Sequence, residues 1–194
     1  MTKVLKQQLV DTKKLTDVIV TLLIMVGAFV VPTFLAKIIP LGKYQQIVVG
    51  TIVNTALIMT ALYTKGNIKT IFIATLPSMS NILGGFLFAP MILYAKLMIP
   101  AIILGNFAFI LIYKAVYVNK KANYIVSAII AVVLKAAIIY AGFSIMNALM
   151  NLPSMVQTTL NTSMGVTQLI TATSGSILAL LIMTSVKMCR KKAE

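Results

Sequence analysis

Residues that bind metals or perform acid–base catalysis are scarce in this chain. Its 194 residues include no histidine, no tryptophan, a single cysteine (Cys189) and three acidic residues, Asp11, Asp17 and Glu194. Without histidine or a second cysteine, the common zinc and haem sites and an intrachain disulfide are excluded. The sequence also lacks paired carboxylates, a nucleophile with a nearby base, and a phosphate-binding loop. It therefore predicts a protein that is not an enzyme and uses no metal or cofactor.

Charge is also scarce, because only 10% of the residues are charged whereas 60% are apolar. Soluble domains usually carry about 25% charged residues. The mean hydropathy of +1.01 is typical of a chain surrounded by lipid. One membrane crossing takes about 20 apolar residues, so the chain can hold six crossings and no separate soluble domain. We predict an all-α, multi-pass protein of the cell membrane, in contact with the lipid bilayer.

The apolar segments define the predicted spans: about Thr16 to Ile39, Ile47 to Thr64, 68 to 94, Leu97 to Val118, Tyr124 to Met146, and Val166 to Met188. Gly27 and Pro32 predict a kink in the first span. The third is interrupted between Pro77 and Gly85, so it is either one broken span or a segment that returns to the same side. We assign 1–15 to an amphipathic cytoplasmic segment, 16–188 to the transmembrane domain and 189–194 to a basic cytoplasmic tail.

The basic residues, which give a net charge of +14, distinguish between these alternatives. Cytoplasmic segments carry an excess of Lys and Arg. Six spans place thirteen basic residues inside and three outside, whereas five spans place seven inside and nine outside. The three outer residues in the six-span arrangement are Lys37, Lys43 and Lys96. We therefore predict a six-helix bundle with both termini in the cytoplasm and a broken third span. Small basic groups between apolar runs also argue against nucleic-acid binding.

Lys135 lies at the middle of the fifth predicted span. A lysine at the centre of a bilayer costs about 2.5 kcal/mol or more, so it should face the bundle interior or a wet cavity. No acidic residue of this chain is well placed to pair with it. Two interpretations remain open. Lys135 binds the carboxylate or phosphate of a ligand, or it is neutral or capped by carbonyl groups and amides such as those of Asn54 and Asn106.

Polar side chains within spans turn inward, where they join helices or contact a ligand. The predicted substrate-binding residues are Lys135, Asn54, Asn81, Asn106 and Gln168. The break at Pro77 to Gly85 adds to this set, because irregular backbone at membrane depth is tolerated where it is buried or lines a cavity. The uncharged connection from Asn147 to Gly165 is either a lid over an outward-facing site or a plain loop.

Small residues at four-residue spacing predict close helix packing, and they also suit a partner membrane subunit. The pairs are Gly50 and Asn54, Ala101 and Gly105, Ala137 and Ala141, and Gly175 and Ala179.

Two local phrases resemble those of a known family: Leu83-Gly-Gly-Phe-Leu-Phe-Ala-Pro90, and Gly165-Val-Thr-Gln-Leu-Ile-Thr-Ala172 followed by Gly175. With the predicted architecture, they are similar to the substrate-binding subunit (S component) of energy-coupling factor transporters. The first phrase has Ala89 where the family has glycine. Ala28, Pro32 and Ala36 stand at the spacing of the family's Ala-x-x-x-Ala docking pattern, with proline between the alanines.

The resemblance implies a subunit that captures a vitamin or other micronutrient on the outer side of the membrane. It also implies three partners: a membrane scaffold subunit and two ATPase subunits. The absence of an ATP-binding motif agrees with an energy source outside this chain. Lys135 suggests that the solute carries an anionic group. The alternative is an accessory or structural membrane subunit that binds a protein partner and no small molecule.

Overall fold

In a computed structural model of the protein, the described residues are 15–38, 44–64, 66–84 and 92–193, with the backbone alone for 35–38, 67, 81–84, 92 and 189–193. This part of the chain is helical and contains no strand. The predicted segment 1–15 lies outside it except for Leu15, as do Lys43 and Glu194. The helices are α1 (15–38), α2 (Gln45–Tyr63), α3 (Asn67–Gly84), α4 (Ile92–Leu97), α5 (Ile99–Ile112, extended by a π-helix, Tyr113–Asn119), α6 (Tyr124–Met150), α7 (Ser154–Met164) and α8 (Val166–Ala193).

Five helical segments of the described chain are long and apolar enough to cross a membrane. They are Leu15–Phe34, Gln45–Tyr63, Ile99–Asn119, Tyr124–Met150 and Ser154–Met188, the last of which contains both α7 and α8. The all-α prediction is therefore confirmed for the described residues, and these helices are consistent with a multi-pass membrane protein. The predicted count of six needs α3 as a further span, and α3, with 18 residues, is not among the five.

The predicted interruption at Pro77 is wrong for the backbone up to Gly84. The α-helix α3 runs without a break from Asn67 to Gly84 and contains Pro77. Proline removes one helical hydrogen bond, but neighbouring helices can satisfy the carbonyl groups that are freed. The carbonyl group that Pro77 leaves without its helical partner is that of Ile73. Asn106 of α5 donates from Nδ2 to the adjacent carbonyl oxygen, that of Ala74, at 3.3 Å. The remainder of the predicted break, Gly85, lies outside the described residues.

The irregularity predicted at Gly27 and Pro32 is a π-helical turn in α1. It spans Val26–Val30, and the Val31 N–H group bonds to the carbonyl oxygen of Val26, five residues back. The proline ring clashes with the carbonyl group four residues earlier in a regular α-helix. A wider turn just before Pro32 relieves this clash, and Pro32 is buried against the bundle.

Close packing between α2 and α8 forms the most extensive contact in the bundle, followed by that between α5 and α6. Glycines permit both approaches. A Cβ atom on Gly175 of α8 would lie 2.6 Å from the Cβ atom of Asn54, and one on Gly50 of α2 would lie 2.7 Å from Cγ2 of Thr171. Between α5 and α6, a Cβ atom on Gly105 would lie 2.7 Å from Cγ1 of Ile139. Three of the four predicted small-residue pairs thus contain a residue at a tight interface.

The fourth predicted pair, Ala137 and Ala141, is exposed on the outside of α6. Large apolar side chains are exposed around it, including those of Leu134 and Ile145. This surface is suited to lipid or to another apolar helix.

We predict that Gly175→Ala destabilises the protein, whereas Gly27→Ala does not. The added methyl group at 175 meets Asn54 and the α2 backbone, while at 27 the nearest atom is Cβ of Ala56 at 3.6 Å, an ordinary contact. Overpacking typically costs about 1–3 kcal/mol. Thermal unfolding of both variants in detergent, followed by circular dichroism at 222 nm, measures the difference. Equal melting temperatures would contradict the close approach of α2 and α8.

Candidate ligand-binding cavity

Lys135 is buried at the centre of α6, with 2% of its surface exposed. Its Nζ atom donates a hydrogen bond to Oδ1 of Asn54 on α2. The same atom lies 5.1 Å from the ring centroid of Phe109 on α5, a distance at which a cation is attracted to the ring face. Three helices therefore meet at this one ammonium group.

The side chain of Asn54 is fixed from its other end. Its Nδ2 atom donates to the carbonyl oxygen of Gly50 at 2.8 Å, so its oxygen atom faces Lys135. Gly175 packs directly against Cβ of Asn54. The contact between α2 and α8 therefore sets the position of the acceptor that Lys135 uses.

No carboxylate neutralises Lys135 within the described part of the chain. Asp17, the acidic residue described there, is exposed near the start of α1. A lysine ammonium has three N–H groups and no acceptor. Among the described residues, Asn54 provides the one hydrogen bond made by Nζ of Lys135. The capping of Lys135 by an amide, one of the two interpretations that the sequence left open, is thus present in the form of Asn54. This bond uses one of the three N–H groups of a lysine ammonium.

A cavity of about 70 Å³ lies beside this pair. Its lining includes four of the five predicted site residues: Asn54, Asn106, Lys135 and Gln168. The structure therefore brings together polar residues from α2, α5, α6 and α8. The fifth, Asn81, lies on α3, and its side chain is outside the described residues.

The cavity also contains residues that the sequence analysis did not assign to a site, among them Gln46, Thr171 and Pro32, and it contains Pro77, the first residue of the segment that the sequence analysis added to the site. Helical spacing is the signal that could have identified Gln46. Residues four apart lie on one helix face, and Gln46 lies four residues before Gly50 and eight before Asn54. Thr171 in turn lies three residues after Gln168 on α8.

One end of the cavity is covered by the last turn of α7. Nε2 of Gln46 donates to the carbonyl oxygen of Ser163 at 3.4 Å, and Oγ of Ser163 donates to Oε1 of Gln46 at 3.1 Å. Nε2 of Gln168 donates to the same carbonyl oxygen at 3.0 Å. Met164 follows Ser163 and lines the cavity. Within the connection from Asn147 to Gly165, the structure thus has the end of α6, up to Met150, and the helix α7, whose last residue lines the cavity.

The other end is filled by aromatic side chains. Phe109 and Tyr113 are fully buried, and their rings make an edge-to-face contact with centroids 5.3 Å apart. The Tyr113 hydroxyl donates to Oγ of Ser176 at 2.9 Å, and the Tyr124 hydroxyl donates to the Ser176 carbonyl oxygen at 2.7 Å. These bonds connect α5 and α6 to α8.

The polar groups that line the cavity are mainly amides, together with the amine of Lys135 and the hydroxyl of Thr171. Within the described residues, no group of three or more His, Cys, Asp or Glu side chains could hold a metal ion. Ser78, which follows Pro77, has a buried hydroxyl without a hydrogen-bond partner in the part of the chain that the structure describes. Lys135 supplies positive charge and free N–H groups, while the amides supply both donors and acceptors.

We predict strong coupling between Lys135 and Asn54 in a double-mutant cycle. Asn54→Leu leaves the ammonium without its acceptor, and Lys135→Met leaves the amide oxygen without its donor, each costing about 1–3 kcal/mol. The double variant should cost less than the sum, because it removes both partners together. Unfolding free energies measured in detergent for the three variants test this. Additive costs would show that the two side chains do not interact.

Known proteins give no independent assignment of this cavity. Comparisons with protein-family profiles, with curated proteins and with solved structures returned no match for the chain.

Proposed function

We propose that this protein is the substrate-binding subunit of an ATP-driven importer of a small micronutrient, and that its cavity binds an anionic group of that solute. The observation that carries this proposal is Lys135, which is buried without a carboxylate partner among the described residues and lines a cavity with Asn54, Asn106 and Gln168. A ligand carboxylate or phosphate would supply both the missing negative charge and the acceptors for the remaining N–H groups of Lys135.

The size of the cavity limits what it holds in the closed form. One buried water needs about 10–15 Å³, so about 70 Å³ accommodates a few waters or one small acidic group. A larger solute requires displacement of α7, whose last turn covers the cavity. We therefore propose that the acidic end of the ligand binds at Lys135 and that α7 acts as the lid.

The orientation and the partners belong to the same proposal. The charge distribution supports six spans with both termini in the cytoplasm, which makes α3 the third span and places α7 outside. The chain has no ATP-binding motif and no intramembrane carboxylate to couple to an ion gradient. The resemblance to energy-coupling factor S components supplies the rest: a membrane scaffold subunit and two ATPase subunits as the motor.

A second candidate is an accessory subunit that binds a protein partner and no small molecule. The exposed small residues Ala137 and Ala141 on α6 favour it, because they would let another transmembrane helix approach closely. Native mass spectrometry of the purified protein separates the two candidates. A retained small molecule supports the importer subunit, whereas a bare protein that binds none of a panel of vitamins supports the accessory subunit.

We predict that Lys135→Met weakens binding of the identified solute by roughly 10- to 100-fold, the value of one charge-assisted hydrogen bond. Lys96→Met, a change to an exposed lysine of α4, is the matched control and should bind as the unmodified protein does. Isothermal titration of both variants measures the effect. Unchanged affinity in Lys135→Met would refute the proposed role of the cavity.

We predict that Cys189 is reached by a membrane-impermeant maleimide only after the membrane is permeabilised. The chain contains a single cysteine, so labelling reports one position. As a control for the outer side, a Cys189→Ser, Ser154→Cys variant should be labelled in intact cells, because Ser154 is exposed at the start of α7. Labelling of Cys189 in intact cells would exclude the proposed orientation.

A further inference from the structure

A second cavity lies at the opposite end of the bundle from α7. It has a volume of about 470 Å³ and is lined by Leu62, Tyr63, Tyr117, Val118, Lys121 and Met183. These residues come from the C-terminal end of α2, the end of the π-helical extension of α5 and the turn after it, and the second half of α8. The cavity is therefore at the end of the membrane-crossing helices, where lipid headgroups lie.

Three polar groups in this cavity have no hydrogen-bond partner among the described residues: Nζ of Lys121 and the hydroxyls of Tyr63 and Tyr117. All three are donors, and no acidic side chain lines the cavity. The rest of its lining is apolar. The site thus offers one positive charge and two hydroxyl donors beside an apolar surface.

The backbone at Lys121 is unusual for a lysine. Its φ angle is 53°, in the left-handed region, at the position after a helix end where glycine is the usual residue. The turn is closed by two hydrogen bonds, from Lys120 N–H to the Ala115 carbonyl and from Ala122 N–H to the Val116 carbonyl, both at 3.1 Å. Favourable interaction with a helix C-terminus explains a basic residue near this point, but it does not require lysine at the one strained position. The side chain at this position is part of the cavity lining.

We propose that this cavity binds the headgroup of an anionic phospholipid. Lys121 contacts the phosphate, the hydroxyls of Tyr63 and Tyr117 donate to its oxygens, and Leu62 and Met183 contact the glycerol backbone and the start of an acyl chain. Basic pockets between transmembrane helices are known to bind anionic headgroups, and Lys and Tyr are both favoured at the membrane interface. A free phosphate ion would leave the apolar lining uncovered, so a lipid is the better occupant.

The proposal does not depend on the nutrient-binding role of the Lys135 cavity, and it is tested on the full chain in neutral detergent. Native mass spectrometry counts the lipids retained during titration with phosphatidylglycerol, or with phosphatidylcholine of the same acyl chains. We expect one phosphatidylglycerol to be retained preferentially. Lys121→Gln should weaken this binding by about fivefold, the contribution of one basic residue near an anionic lipid. Tyr63→Phe should weaken it less.

The matched control is Lys187→Gln on α8, which removes an exposed lysine that does not line the cavity. At about 0.5 M salt, where the Debye length is about 4 Å, this variant should bind the lipid as the unmodified protein does. Equal losses for Lys121→Gln and Lys187→Gln would show diffuse surface attraction and overturn the proposal. Equal retention of the two lipids would also overturn it. So would displacement of phosphatidylglycerol by an equal concentration of inorganic phosphate, because that outcome assigns the site to a free anion.

Discussion

The central constraint on the described bundle is a buried lysine, Lys135, for which the described residues provide no carboxylate partner. Nζ of Lys135 meets one amide oxygen, on Asn54, and one aromatic face, on Phe109, and these groups come from three different helices. Dipoles and a ring quadrupole stabilise a buried cation less than a carboxylate does. The bundle therefore tolerates Lys135 at a cost. A ligand that brings the missing charge gains affinity from the removal of that cost.

The packing of the bundle and the chemistry of the cavity share one interface. Asn54 is oriented by the Gly50 carbonyl on its own helix and is pressed by Gly175 from α8. Gln168 and Thr171, on the same part of α8, line the cavity. A substitution that separates α2 from α8 should therefore affect both stability and ligand binding. The small residues at this interface allow the two helices to pack closely. They also set the position of the Asn54 oxygen, which accepts the hydrogen bond from Lys135.

Residue type and hydropathy were enough to predict the helical membrane fold and four of the residues that line the cavity. Polar side chains in lipid turn inward, so Asn54, Asn106 and Lys135 are expected to face the interior of the bundle. The choice between Asn54 and Asn106 as the partner of Lys135 depends on helix rotation, which sequence does not give. Proline lacks the N–H group of a helical hydrogen bond, so Pro77 predicts a break, whereas the structure has it inside a continuous helix. Helix α7 was missed because it is largely polar and its burial arises from tertiary contacts.

The two ends of the Lys135 cavity differ in what opening them requires. At the α7 end, opening breaks the hydrogen bonds at Ser163 and exposes Leu160 and Met164, each of which contributes about 1.5–3 kcal/mol by its burial. A ligand that binds the uncovered donors of Lys135 can offset a cost of that size. At the other end, Phe109 and Tyr113 are packed between helices and bonded to α8, so opening requires the helices themselves to separate. In the importer that we propose, capture would need only the α7 end to open, whereas release on the far side would need work from a partner, the role that the proposal gives to the ATPase subunits.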